Sequence, residues 1–159
     1  MDTKTKSRII QAARKISRWH KPRLAAKKKA QIDKALFLCS SCGTLCYEGK
    51  SQIRFFEYTK QYKKYTVIQE PPHMDHIDPV VDPKTGFPYL ADGWPDFNTY
   101  FRRMFTDESN FSCLCPVCHA KKSAVEMEQR KLTRRKINKK QLTKKKKKCK
   151  LKRKRNKAS

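Results

Sequence analysis

Four cysteines in two matched pairs, Cys39-Ser40-Ser41-Cys42 and Cys115-Pro116-Val117-Cys118, have the spacing of metal ligands. Each Cys-x-x-Cys offers two thiolates from one tight turn, and two such turns complete a tetrahedral Zn²⁺ site. Four thiolates leave no open coordination position, so the ion would contribute folding energy and not catalysis. With 72 residues between the pairs, it would also close a long loop. Cys46 and Cys113 are alternates for the same site, and Cys149 reads as a bystander. Between the knuckles stand Asp75-His76-Ile77-Asp78-Pro79 and then Asn110, with His119 directly after the last paired cysteine. Imidazole and carboxylate are the groups that metal-assisted phosphodiester hydrolysis uses. A neutral imidazole takes a proton from water near neutral pH, and a divalent cation neutralises the phosphate oxygens.

The ordered set Asp75-His76-Ile77-x-Pro79, then Asn110-x-x-x-Leu114-Cys115-x-x-Cys118-His119-x-x-Lys122, resembles the HNH nucleases. The resemblance runs from Cys39 to about Glu126, just over half the chain. It implies a two-stranded ribbon and a helix around one metal, the ββα-metal fold. It also implies that Asp75 and His119 are ligands of a catalytic Mg²⁺ or another divalent ion, that His76 is the general base, and that Asn110 pins the loop between the strands or, as in some relatives, touches the metal. Thirty-three residues separate His76 from Asn110, so the ribbon carries a sizeable insertion. His73 is an alternative to Asp75 as ligand. Asp78 and Asp82, each beside a proline, read as turn formers, and His20 as a surface or hydrogen-bonded group. Asp75 and His76 are consecutive, so they reach one phosphate only if the strand bends there.

Several elements must position these groups. Ile9, Ile10, Ala13 and Ile16 give a first helix that Pro22 should break, with a second helix over Leu24–Leu38. Ile53–Thr59 and Tyr65–Gln69 read as two strands joined through Lys60, Gln61 and Lys63. Asp82-Pro83-Lys84-Thr85-Gly86 reads as a tight turn. Trp94, Phe97, Phe101, Met104 and Phe105 recur at helical spacing and read as core. Pro116 suits the first position of a last helix, whose buried face would carry Val117, Ala120, Ala124 and Met127, with His119, Lys122, Ser123 and Glu126 on another face.

Charge divides the 159 residues in three. Residues 1–34 carry 12 basic and 2 acidic groups, residues 35–129 carry 10 and 12, and residues 130–159 carry 18 and none, for a net +26. The expected organisation is a basic helical arm (1–34), an HNH-type domain (35–129) and a basic tail (130–159), its final 20 residues disordered until they meet an anion. Two strongly basic segments around a near-neutral middle call for a polyanion, and nucleic acid is the default one. DNA is preferred over RNA through the resemblance alone. Lys122, Arg130, Lys131, Arg134 and Arg135 are the candidate phosphate contacts. No apolar run is long enough to span a membrane and no secretory signal is seen, so the expectation is an intracellular protein of cytoplasm or nucleoid, not secreted. The expected class is α+β: a small zinc-stabilised endonuclease. Its rival is a non-catalytic zinc ribbon that binds nucleic acid, as some ribosomal proteins do. A pure binding module should be basic throughout, whereas this middle is net −2.

Overall fold

The computed structural model describes the backbone of residues 1–155 and the side chains of residues 1–136. Asp2 caps the first helix by accepting from the Thr5 amide at 2.8 Å, and α1 runs Thr3–Ser17. After a short turn α2 covers Lys21–Lys29, with Pro22 in its first turn, where a missing N–H costs nothing. Strands β1 (Gln31–Asp33), β2 (Leu36–Leu38) and β3 (Leu45–Tyr47) follow, then α3 (Gln52–Gln61) and β4 (Val67–Ile68). The second half comprises β5 (His73–His76), α4 (Phe97–Met104), a 3₁₀ turn at Glu108–Asn110, β6 (Phe111–Leu114) and α5 (Pro116–Arg155).

The protein is α+β. One sheet has the order β1-β2-β3-β4, antiparallel except for the parallel β3–β4 pair. The other is the antiparallel β5–β6 pair, in which Asp75 lies opposite Ser112 and His76 opposite Phe111. Three small cores hold these layers. Leu36, Leu45 and Tyr47 pack under Phe55, Tyr58 and Tyr62 of α3 and its cap. Cys39, Cys46, Leu114 and Cys115 join the two sheets. Ala13 of α1 closes over Tyr100 and Met104 of α4, with Phe97, Phe101 and Phe105 around them. Residues 1–34 are therefore packed onto the middle, and residue 34 lies in the turn of the β1–β2 hairpin.

Several sequence expectations are corrected. The second helix stops at Lys29, because Leu36-Phe37-Leu38 bury themselves as a strand against Leu45-Cys46-Tyr47. Ile53–Thr59 is helix and not strand. Ser51 caps α3 by accepting from Arg54 N, and Phe55, Tyr58 and Tyr62 recur at three- and four-residue steps toward Tyr47. Of the expected second strand only Val67–Ile68 forms, and it pairs parallel with β3 in place of a hairpin. On α5 the apolar residues face out, Val117 and Met127 being 58% and 54% exposed, because the helix lays its polar side on β5. The stripe around α4 is core as expected except for Trp94, which precedes the helix and is exposed. The turn at 82–86 forms with Gly86 at φ +83°. The final segment, expected to be disordered, is helical as far as Arg155. Residues 156–159 and the Cys149 side chain lie outside what the structure describes.

Candidate functional site

The thiol cluster is built first by local chain geometry. Gly43 N–H donates to the Cys39 carbonyl at 3.0 Å, and Gly43 takes φ +72°, a left-handed conformation that closes the first knuckle. The second knuckle is the first turn of α5, where Cys118 N–H points at Cys115 Sγ at 3.4 Å. Ser40 ties the two together by donating its N–H and its hydroxyl to the Cys113 carbonyl, at 2.8 and 3.0 Å. As a result the Sγ atoms of Cys39, Cys42, Cys115 and Cys118 all lie within 4.8 Å of one another, with Cys42 and Cys115 at 3.7 Å. Zn–S bonds of about 2.3 Å in a tetrahedron put sulfurs about 3.8 Å apart, so the cluster fits Zn²⁺. The Cys42 thiol is pulled down to about 6 by the Thr44 hydroxyl and backbone, which favours the thiolate a metal needs. Burial pushes Cys115 up to about 12, so this pocket holds that sulfur as a thiolate only when a cation neutralises it. Cys46 and Cys113 are buried core thiols outside the cluster, raised by burial to about 12 and about 11.

Helices α1, α2, α4 and α5 and strand β5 frame a cleft of about 830 Å³. Its floor is the end of β5, where Asp75 and His76 both line it although they are consecutive. They are the last two residues of β5, paired with Ser112 and Phe111 of β6. The near wall is α5 with His119, Glu126, Arg130 and Arg134, one row of a helix face. The far wall is the N-terminal segment with Arg14, Lys15, Arg18 and Arg23. Arg23 fixes that wall by donating to the Met74 carbonyl at 3.0 Å. Burial holds the Arg23 guanidinium below its ordinary value, with the Asp75 charge opposing.

His76 is oriented by the insertion. Its Nε2 lies 3.0 Å from the Met104 carbonyl at the end of α4, and its ring rests 4.6 Å from Phe111. A carbonyl only accepts, so Nε2 carries the proton and Nδ1 is left as the free acceptor. Burial lowers the His76 pKa from its ordinary 6.5, and the Arg23 and Lys122 cations add to this against the Met104 bond and Asp75. The ring is therefore neutral at neutral pH. Asn110 donates nothing to the cleft. Its side-chain oxygen accepts from Asp78 N at 2.9 Å and its carbonyl from Ile77 N at 2.8 Å, which closes both ends of the 33-residue excursion.

Asp75 presents Oδ1 to the His76 amide at 2.9 Å and Oδ2 to the Lys122 ammonium at 2.7 Å. Lys122 also donates to the His76 carbonyl, so it is tied into the floor and not free on the surface. His119 stacks face to face on His73, centroids 4.3 Å apart, and burial followed by the His119 charge lowers the His73 pKa. Among the described residues the four cysteines are the one group of three or more donors drawn together, so Asp75 and His119 offer two donors at most. Of the predicted phosphate contacts, Arg130 and Arg134 line the cleft. Lys131 and Arg135 sit elsewhere on α5, Lys131 beside Glu128 at 3.8 Å. His20 is not a surface group. It packs edge-on against Phe105 at 5.4 Å.

Sequence reasoning missed the Met104 carbonyl, the His73–His119 stack and Arg23 of the far wall. Only the last had a signal, the basic arm itself. No helix among the described residues is long and apolar enough to cross a membrane. Compared with protein-family models, curated proteins and solved structures, the chain matches none.

Proposed function

We propose that the protein is an HNH-type endonuclease that hydrolyses DNA phosphodiester bonds in the cleft between α1 and α5. The observation that carries the reading is His76: a neutral imidazole that lines a cleft walled by arginines, with Nε2 tied to a backbone carbonyl and Nδ1 left as the acceptor. In this reading His76 Nδ1 takes the proton from the attacking water. Arg14, Arg18, Arg23 and Arg130 neutralise the phosphates on either side of the scissile bond. Asn110 holds the excursion so that Met104 stays against His76. Asp75 and His119 would hold Mg²⁺ or a similar divalent cation, whose chemistry is to polarise the phosphate and stabilise the leaving oxygen. One carboxylate and one imidazole fit such an ion, which keeps several waters and takes few protein ligands. The four-cysteine site would hold structural Zn²⁺. The antiparallel β5–β6 pair running directly into α5 supports the resemblance that the motifs carry.

The test is single-turnover cleavage of plasmid and labelled duplex across a Mg²⁺ and Mn²⁺ titration, with DNA binding measured in parallel. His76→Ala should lose cleavage by about 10²- to 10⁴-fold while zinc content and DNA affinity stay near the parent's. His119→Ala should lose as much, but higher Mg²⁺ or Mn²⁺ should restore part of its rate and none of that of His76→Ala. If both variants cut like the parent, the catalytic assignment is wrong. A parent that binds DNA without cutting it leaves the zinc-ribbon binding module.

A further inference from the structure

Trp19 is 78% exposed, which leaves most of a large apolar ring in water. It stands in the short turn between α1 and α2, and that turn is clamped. His20 packs against Phe105 and Phe111, and its amide donates to the Ser17 carbonyl. The residue before Trp19, Arg18, lines the cleft and also a second hollow of about 180 Å³, and Arg23 and Met74 line both as well. The two hollows thus share Arg18, Arg23 and Met74, and Trp19 follows Arg18 directly in the chain, with Lys21 next after His20. A strand whose phosphates follow Arg14, Arg18 and Arg23 passes the turn that presents Trp19. A rigidly presented indole among cations is what stacks on an unpaired base.

Resting on the reading of the cleft as a phosphodiester site, we infer that Trp19 is a base-stacking residue, and that the preferred substrate has a single-stranded DNA segment next to the scissile phosphate. A base within an intact duplex is already stacked and offers the indole no free face, so the contribution should be specific to unpaired DNA.

The chain has two tryptophans, so Trp94→Phe leaves Trp19 as the sole reporter. This protein, with zinc in place and no Mg²⁺ or Mn²⁺ added, is titrated with a single-stranded oligodeoxynucleotide of about 16 nucleotides and with the matching duplex. Indole emission should be quenched on saturation with the single strand. Trp19→Ala should bind the single strand about 5- to 100-fold more weakly and the duplex within about twofold of the parent. Trp19→Phe should retain most of the affinity and Trp19→Leu should not, because leucine is apolar but cannot stack. Unchanged emission at saturation, equal losses on both DNAs, or leucine serving as well as phenylalanine would each overturn the inference. Plasmid cleavage by the same proteins separates the two claims. If Trp19→Ala binds single strands normally while the parent cuts, only the stacking role is lost. If stacking is seen and the parent never cuts, only the endonuclease reading is lost.

Discussion

At the floor of the cleft the Lys122 ammonium lies 2.7 Å from Asp75 Oδ2 and 3.7 Å from Glu126 Oε1, and it also donates to the His76 carbonyl. The Lys122 and Asp75 side chains are each 27% exposed, so water only partly replaces a missing partner. Lys122→Met keeps the apolar stem but leaves the carboxylate and the carbonyl short of a donor. The expected cost is about 1–3 kcal/mol of stability, read by urea denaturation with zinc present. A loss below about 0.5 kcal/mol would mean that the ammonium is solvated and contributes as an ordinary surface lysine. At this scale Asp75, His76, Asn110 and His119 were legible as short motifs with fixed spacing. The orientation of His76 was not, because the Met104 carbonyl comes from 28 residues away and every residue type has a carbonyl. Nor was Lys122's partner legible, since a lysine one turn after His119 reads equally as a phosphate contact.

The knuckles act at the scale of elements, because the second one is the first turn of the helix that carries His119 and Lys122. Cys118→Ser should therefore do more than remove a ligand. Zinc measured by elemental analysis should fall from about one per chain toward none, and the domain should unfold or melt far lower, because binding free energy here is folding free energy. A zinc-free variant with the parent's melting curve would sink the structural role. On α4 the Asp96 carboxylate accepts from Thr99 N and Thr99 Oγ1 at 3.0 and 2.6 Å, which holds its pKa below 3.8. Asp96→Ala should lower the thermal midpoint and Asp96→Asn should largely keep it, because asparagine also caps. Element type was legible where a proline marked a boundary, as at Pro22 and Pro116. It failed at Ile53–Thr59, where aromatic and β-branched residues suggested strand while the three- and four-residue spacing of Phe55, Tyr58 and Tyr62 was that of a helix face. On α5 the rule that apolar residues point inward failed because the helix packs on a polar site, and the side bearing His119, Lys122 and Glu126 is the one turned in.

For the molecule as a whole, the charge distribution separates the cleft from the helix that runs beyond it. The cleft takes its cations from residues up to Arg134, whereas α5 continues to Arg155 and residues 137–159 carry 13 basic and no acidic side chains. Like charges three and four apart on one helix repel, so a polyanion alongside should stabilise that helix as well as being held by it. Truncation after Lys136 leaves every cleft residue in place. It should weaken DNA binding and flatten the dependence of log Kd on log salt by about 0.9 for each phosphate the tail had neutralised, at most about 12 in all and about 3.6 if four cations reach phosphate. On the proposed reading the single-turnover rate at saturating DNA should stay at the parent's value, because His76 and the cleft's Arg14, Arg18, Arg23 and Arg130 are untouched. Binding titrations at several salt concentrations and cleavage at saturation measure the two halves independently. If the slope is unchanged, the tail meets something other than phosphate. If the saturated rate collapses with it, the tail acts with the cleft, and the separation drawn from the charge map is wrong.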